Sequence, residues 1–153
     1  MSTKPTHEQA QLQLQLYDLR REARLRQARD WFTKNFFADK PEDFMKLAAP
    51  GTEGGTFAGM VFGYWEQACA MLNYGLLNDD LFFETSSEFY GVWQRLKPIT
   101  PQLREQWVYK QLFAHLEQAS QRYEKWVEAR SPGHLAAMGE FMKEMRKQLQ
   151  KAA

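Results

Sequence analysis

The sequence predicts an all-α protein, a single-domain bundle of five main helices and one short helix, with a long helix at the N-terminus. Apolar residues recur at helical spacing through most of the chain, and no segment shows the two-residue alternation of a strand. Proline, glycine and capping residues divide the chain at points typical of helix ends. With 153 residues and a hydrophobic share of 44%, the chain can bury a core without disulfides. We expect residues 1–153 to form one domain.

The first predicted helix is long, because Thr6 and Gln9 form a capping box and no glycine or proline follows until Pro41. It covers residues 7–37 and would measure about 45 Å. Its first apolar stripe runs along the whole helix and contains Leu14, Tyr17, Leu25, Ala28, Phe32 and Phe36. A second stripe lies on nearly the opposite side of the N-terminal half and contains Leu12, Leu16, Leu19 and Ala23. The second stripe predicts either contact with another protein or a second copy, or burial between two helices of one bundle.

Five further helices are predicted at about residues 41–49, 56–74, 79–97, 100–130 and 132–149. The helix at 56–74 is apolar almost all round, which is typical of a central, buried helix, and residues 79–97 add aromatic side chains to the same core. Residues 50–55 contain three glycines but lack the Gly-Lys-Ser/Thr of a phosphate-binding loop, so we expect a flexible loop. Residues 1–5 precede the first cap and are expected to be disordered.

Charge and cysteine content exclude some classes of protein. Twenty basic and nineteen acidic residues leave a net charge of +1, so no global field attracts nucleic acid or an anionic membrane. Cys69 is the only cysteine, the N-terminus lacks a secretory signal, and no apolar stretch approaches the roughly 20 residues of a membrane-spanning helix. We therefore expect a cytoplasmic protein. We expect no cofactor, metal site or catalytic residue, since neither Glu-x-x-His nor His-Glu-x-x-His occurs.

Four short segments resemble a bacterial family known only as a domain of unknown function. They are residues 28–31, 65–66, 75–80 and 93–99. In that family an aromatic residue followed by Glu lies on a middle helix, a glycine and an Asp-containing turn follow, and Trp-x-x-Leu-x-Pro closes the next helix. The resemblance implies a bacterial, all-helical domain and does not imply any activity. Many members carry an N-terminal membrane helix, whereas this chain has a helix rich in Gln, Leu and Arg there.

Glu66 is the strongest candidate site residue, because an acid on an otherwise apolar helix is costly to bury without a partner. One alternative is structural: an Arg, a Tyr hydroxyl or a helix terminus satisfies the carboxylate. The other alternative is a ligand-binding pocket. Its aromatic wall would be formed by Tyr64, Trp65, Tyr90 and Trp93.

The basic residues of the first helix are a candidate nucleic-acid surface, formed by Arg20, Arg21, Arg24, Arg26 and Arg29. At about 100° per residue they point around much of the helix, so a solvated or intersubunit helix is the favoured interpretation. Glu84 and Glu88 lie four positions apart, a spacing that paired catalytic carboxylates could use. A solvated edge explains these two acids more simply.

We predict a non-enzymatic helical module for protein–protein interaction or self-association. The candidate contact residues lie on the first and last helices and are Leu12, Leu16, Leu19, Met138, Met142 and Met145. The alternative is a small-molecule-binding domain centred on the aromatic pocket around Glu66. A third hypothesis is weak nucleic-acid binding through the arginines of the first helix.

Overall fold

A computed structural model describes residues 3–153, which are all-helical, with nine helices and no strand. The helices are α1 (His7–Arg20), α2 (Ala23–Asn35), α3 (Pro41–Leu47), α4 (Glu53–Asn73), α5 (Asp79–Thr85), α6 (Glu88–Leu96), α7 (Thr100–Gln106), α8 (Ala114–Arg130) and α9 (His134–Ala152). The all-α prediction is confirmed. The predicted count of five main helices and one short helix is wrong, because three of the predicted long helices are each divided in two.

The chain forms two compact units, residues up to 120 and residues 121–153. The first unit contains α1 to α7 and the beginning of α8. The second unit contains the remainder of α8 together with α9. That residues 1–153 form one domain stays a prediction.

The segment before α1 was expected to be disordered over residues 1–5. Met1 and Ser2 lie outside the described residues. The Thr3 carbonyl accepts a hydrogen bond from Asn78 Nδ2 at 2.7 Å, so this segment is tied to the N-cap of α5. Thr6 then begins α1 with the predicted capping box to Gln9.

The predicted helix over residues 7–37 is broken after Arg20. Both carboxylate oxygens of Glu22 accept backbone hydrogen bonds, from Arg24 N at 2.9 Å and from Leu25 N at 2.8 Å. These bonds cap α2 and lower the pKa of Glu22 below its usual range. The prediction was wrong because glutamate is an uncommon N-cap, so the sequence carries no strong start signal at this position.

The break changes which face of α1 is buried. Downstream of it, the first stripe is buried as predicted, at Leu25, Ala28, Phe32 and Phe36. Upstream of it, Leu14 and Tyr17 of the same stripe are 64% and 49% exposed, whereas Leu16 of the second stripe is buried. The two helices therefore do not share one continuous buried stripe, and Leu14 and Tyr17 lie outside the core.

The other two divided helices break at turns that bring distant segments together. Residues 86 and 87 separate α5 from α6, and residues 107–113 separate α7 from α8. Within the second turn, Val108 and Phe113 have positive φ values of 50° and 56°, which residues other than glycine rarely adopt. Phe113 is buried in the core, while Val108 is 91% exposed.

The central helix α4 begins earlier than predicted. Thr52 caps it by accepting a hydrogen bond from Gly55 N at 3.0 Å, so residues 53–55 form the first helical turn instead of the second half of a loop. A Cβ atom at Gly54 or Gly55 would collide with the backbone oxygen of Leu47 or Ala49. The glycines therefore permit a close approach between the end of α3 and the start of α4.

The core of the first unit surrounds α4, which packs mainly against α2. Phe62 of α4 lies 5.2–5.9 Å, between ring centroids, from four other aromatic rings: Phe32, Phe36, Phe44 and Phe113. Closer to α6, Trp65 of α4 faces Phe89 at 6.3 Å. The aromatic core predicted on residues 56–74 and 79–97 thus also includes α2, α3 and the turn before α8.

Candidate functional site

An apolar groove lies beside α1 and is closed by α4 and α5. We call it the α1 groove, and its cavity volume is about 430 Å³. Its lining residues all belong to the first unit and are mainly apolar: Ala10, Gln13, Leu14, Leu16, Tyr17, Arg20, Tyr64, Trp65, Ala68, Leu81, Phe82, Thr85 and Ser86. Volumes of this size are typical of small-molecule sites.

One face of α1 supplies a long wall of the groove. Ala10, Gln13, Leu14, Tyr17 and Arg20 follow the spacing of three and four residues that places side chains along a single helical face. At about 1.5 Å per residue, the wall from the first to the last of these residues is about 15 Å long. The groove is therefore elongated.

The opposite wall combines large rings with a small residue. Trp65 and Phe82 are almost fully buried, and the Tyr64 and Trp65 rings meet edge to face at a centroid distance of 4.8 Å. Ala68 follows Trp65 by three positions and is fully buried, so its single methyl group leaves open the space that a larger side chain would fill. Small and large residues at helical spacing thus create the cavity.

Tyr64 ties α4 to α1 at the edge of the groove. Its hydroxyl donates a short hydrogen bond to the backbone oxygen of Leu16. Burial raises the pKa of Tyr64 to about 12, with Arg20 and Arg29 opposing the increase and Glu88 adding to it. The phenol therefore stays protonated at neutral pH and keeps its role as a donor.

Gln13 is a polar residue of the groove wall with unused hydrogen-bonding capacity. Its Nε2 atom donates to Thr85 Oγ1 at 2.8 Å and to the Leu81 carbonyl at 3.4 Å. Because a backbone carbonyl can only accept, these bonds fix the orientation of the amide group. Gln13 Oε1 is buried and finds no hydrogen-bond donor among residues 3–153.

Glu88 organises the charged end of the groove from the start of α6. Arg29 Nε donates to Glu88 Oε1 at 2.8 Å, and Arg29 Nη2 donates to Oε2 at 2.5 Å, which raises the pKa of Arg29. Trp65 Nε1 donates to Oε1 at 3.4 Å. Arg20, by contrast, approaches Oε2 only to 3.9 Å. Arg29 therefore holds the main interaction with this carboxylate.

Glu66 occupies a structural position at the start of α8. Its two oxygens accept hydrogen bonds from His115 N at 2.9 Å and from Leu116 N at 2.8 Å. A carboxylate there also complements the positive end of the helix dipole. Of the alternatives that the sequence left open, the structure shows the helix terminus as the partner of Glu66.

The predicted aromatic pocket is divided in the structure. Tyr64 and Trp65 line the α1 groove, whereas Glu66, Tyr90 and Trp93 do not. Tyr90 and Trp93 are 8% and 4% exposed and belong to the packed face of α6. The reason is that Trp65 and Glu66, adjacent in sequence, lie about 100° apart around α4 and face different neighbours.

The predicted contact residues differ in their exposure. Leu16 is buried and lines the groove, Leu19 is 60% exposed, and Leu12 lies between these extremes. In the second unit, a half-buried stripe of α9 carries Met138, Met142 and Met145. Their role in binding a partner stays a prediction.

The arginines proposed as a nucleic-acid surface have different surroundings. Arg20 and Arg29 lie near Glu88, and the Arg24 guanidinium lies 4.5 Å from the Phe57 ring centroid. Arg21 lies 5.6 Å from the centroid of Tyr17, and Arg26 is exposed on α2. Because α1 and α2 are separate helices, these five residues do not follow one continuous helical surface. Nucleic-acid binding stays a prediction.

Two other candidates have clear positions. Glu84 and Glu88, predicted to share a helical face, belong to α5 and α6 respectively, so their spacing of four has no helical meaning. Cys69 is buried on α4. Among residues 3–153, no group of three or more His, Cys, Asp or Glu side chains is placed to hold a metal ion.

Sequence reasoning did not find Gln13, Ala68 or the wall formed by α5. Gln13 is 68 and 72 positions away from its hydrogen-bond partners on α5, so no local pattern could indicate the contact. The available signal was the small residue at position 68 on an aromatic helix, but a small residue equally suits close helix packing. The groove is a product of tertiary structure.

The chain matches a known family over a range of residues that includes the whole α1 groove. Residues 5–123 match the family described as Domain of unknown function (DUF4760). The chain belongs to this family. The DUF4760 match includes every residue that lines the α1 groove. No curated protein and no solved structure matches the chain significantly. None of the helices described over residues 3–153 has both the length and the apolar character needed to cross a membrane.

Proposed function

We propose that this DUF4760 domain is a non-enzymatic binding module whose α1 groove takes an elongated apolar ligand. The observation that carries the proposal is an apolar cavity of about 430 Å³ between α1, α4 and α5. Burial of apolar surface contributes about 25 cal/mol per Å², so a ligand that fills such a cavity gains substantial free energy. The polar groups of the wall are few, which is typical of sites that orient a mainly apolar ligand.

The dimensions of the groove favour a narrow ligand. A volume of 430 Å³ distributed along about 15 Å of α1 corresponds to a cross-section of about 30 Å². A single apolar chain fits these dimensions.

The surroundings of Glu66 and Glu88 favour binding over catalysis as the function of the groove, because both carboxylates already have partners. The Glu66 carboxylate caps α8, and the Glu88 carboxylate is held by Arg29. Both acids therefore have structural partners. Cys69 is fully buried.

Titration with a neutral apolar probe tests the proposal. We expect 1-decanol to bind the wild-type chain in isothermal titration calorimetry and to raise its Tm, because a ligand that binds only the folded state stabilises it. Ala10→Phe places a ring on the groove wall and is expected to abolish both effects. Ala137→Phe, the same substitution at an exposed position of α9, is the matched control and should bind as the wild type does.

Failure of the wild-type chain to bind 1-decanol would overturn the proposal. Equal binding by the wild type and Ala10→Phe would also overturn it, because the ligand would then lie elsewhere. Circular dichroism of each variant shows whether the helices are retained.

Self-association through α1 is a second candidate, favoured by the exposure of Leu14 at 64% and Leu19 at 60%. A second copy would cover Leu19 in an isologous interface. Leu19 does not line the groove, so Leu19→Ser tests this candidate separately. We expect light scattering to show a dimer for the wild type and for Met45→Ser, another exposed apolar position, and a monomer for Leu19→Ser. A wild-type monomer at all concentrations would contradict this candidate.

The cellular setting is part of the proposal. A cytoplasmic location is supported by the single cysteine, which is buried and has no second cysteine in the sequence for a disulfide, as expected for a protein in a reducing compartment. A bacterial origin is supported by the resemblance of residues 28–99 to a bacterial family.

A further inference from the structure

We propose, building on the apolar-ligand function of the α1 groove, that its ligand is a free single-chain anionic amphiphile such as a fatty acid. In this arrangement Arg20 binds the anionic head. The apolar chain runs along α1 towards Ala10, past Tyr17 and Leu14.

The first observation is that Arg20 has unused hydrogen-bond donors in the part of the chain that the structure describes. Its closest acid, Glu88, already accepts from Arg29 on both oxygens, and the distance of 3.9 Å from Arg20 Nε to Glu88 Oε2 exceeds a hydrogen bond. Within residues 3–153, no hydrogen bond from the Arg20 guanidinium is found. Its side chain is 25% exposed, so these donors are open to solvent and to an incoming acceptor.

The second observation is the position of this guanidinium at the rim of the apolar groove. It lies 5.8 Å from the Tyr17 ring centroid and 5.9 Å from the Trp65 ring centroid, and both rings line the groove. A ligand that fills the cavity therefore ends beside a cation that rests on its aromatic wall. A guanidinium and a carboxylate form two parallel hydrogen bonds, which gives this end of the groove a preferred head group.

The local charge points to an anion. Arg20 and Arg29 face the single carboxylate of Glu88, which leaves one excess positive charge. A cationic amphiphile would meet repulsion at this end, whereas a neutral one would not compensate the positive charge of Arg20.

Paired ligands with the same apolar chain separate the head-group site from the groove. Decanoate and 1-decanol are titrated into the wild type, Arg20→Gln and Arg21→Gln by isothermal titration calorimetry, at a pH where decanoate is ionised and below its micelle concentration. We expect Arg20→Gln to bind decanoate about tenfold more weakly than the wild type, because the substitution removes a hydrogen-bonded pair of opposite charges. Binding of 1-decanol should be equal in both, and Arg21→Gln should match the wild type.

The outcomes distinguish this inference from the function on which it rests. If decanoate binds the wild type and Arg20→Gln equally while 1-decanol also binds, the Arg20 head-group site is wrong and the apolar groove stands. If neither ligand binds the wild type, the groove function itself fails. If the wild type sediments with phosphatidylglycerol vesicles but does not bind free decanoate, the assignment of a free ligand is wrong. Arg20→Lys, which keeps the charge, should retain part of the decanoate affinity and guards against misfolding of Arg20→Gln.

Discussion

At the residue scale, the end of α4 shows how a glycine closes a helix in this chain. Gly75 has a φ of 79°, and its N–H donates to the Leu72 carbonyl at 3.0 Å. The next N–H, of Leu76, reaches back to the Met71 carbonyl at 2.9 Å. These two bonds form a Schellman motif, in which the left-handed position favours glycine.

The end of α7 has the same hydrogen bonds with valine in the left-handed position. Val108 N donates to Glu105 O at 3.2 Å, and Tyr109 N donates to Arg104 O at 2.9 Å. A β-branched residue at a φ of 50° is strained. Because the Val108 side chain is 91% exposed, burial does not offset the strain.

Val108→Gly is therefore expected to raise the free energy of unfolding. The left-handed conformation costs an L-residue about 1–2 kcal/mol, part of which the greater freedom of glycine in the unfolded chain cancels. We expect a net gain of about 0.5–1 kcal/mol in urea unfolding. The reciprocal control is Gly75→Val, which should destabilise, since a Cβ there meets no atom within 4 Å and only the backbone conformation is affected. A loss of stability in Val108→Gly would show that the valine side chain makes a contact worth more than the strain.

Tyr64 gives a pH-dependent prediction, since burial raises its pKa to about 12 from an ordinary value of 10. The folded chain keeps the phenol proton at a pH where the unfolded chain has lost it. The contribution of Tyr64 is therefore complete below pH 10 and is lost as the pH rises through about 12. Tyr64→Phe removes this titration together with the hydrogen bond to Leu16. We expect the stability difference between wild type and Tyr64→Phe in urea unfolding to shrink between these pH values, and a constant difference would contradict the assignment.

At the element scale, the start of α8 depends on a side chain from α4. The backbone N–H groups of His115 and Leu116 have no partner within their own helix, and Glu66 accepts from both. Phe113, at a φ of 56°, turns the chain into position just before them. The helix start is thus built by the tertiary contact between α4 and α8 rather than by a local cap.

Glu66→Ala is expected to destabilise the fold by about 1–2 kcal/mol, the range for loss of an N-terminal cap. For a chain of this length such a change lowers Tm by several degrees, which differential scanning calorimetry measures. Glu84→Ala, at an exposed acid of α5, is the matched control and should change Tm little. If Glu66→Ala binds 1-decanol as the wild type does, the cap and the groove are separate features. If Glu66→Ala is folded but no longer binds 1-decanol, Glu66 is again a candidate ligand-binding residue.

Helix boundaries were predictable where a local signal exists. The starts of α1 after Thr6, of α3 at Pro41 and of α5 at Asp79 were all predicted from sequence. The breaks near Glu22 and at residues 86 and 87 were missed. They contain neither glycine nor proline, so the chain could continue as helix there, and the packing of the flanking segments decides that it does not.

At the scale of the whole first unit, the ion pair between Arg29 and Glu88 joins α2 to α6 and lies against Trp65 of α4. The two side chains are 23% and 30% exposed, so the pair is only partly screened by solvent. Removal of one partner leaves the other charge partly buried without its hydrogen bonds, which costs more than the loss of a surface pair.

Arg29→Ala is expected to lower the free energy of unfolding by about 1–3 kcal/mol. Arg26→Ala, at an exposed arginine of the same helix, should change it by less than about 0.5 kcal/mol. Urea unfolding of Arg29→Ala, of Glu88→Gln and of the double variant that combines them measures the coupling between the two partners. Additive effects of the two substitutions would contradict the role of this pair.

The sequence by itself determined the helical class, the family and several helix starts, because caps, prolines and apolar spacing act over a few residues. It also placed the aromatic core on α4. Tertiary structure alone decided which side of α1 is buried, that Glu66 caps a helix 49 positions away, and that Ala68 opens a groove against α5. The physical reason is the range of the interactions: backbone hydrogen bonds and caps join near neighbours, whereas cavities and carboxylate partners depend on which distant surfaces pack together.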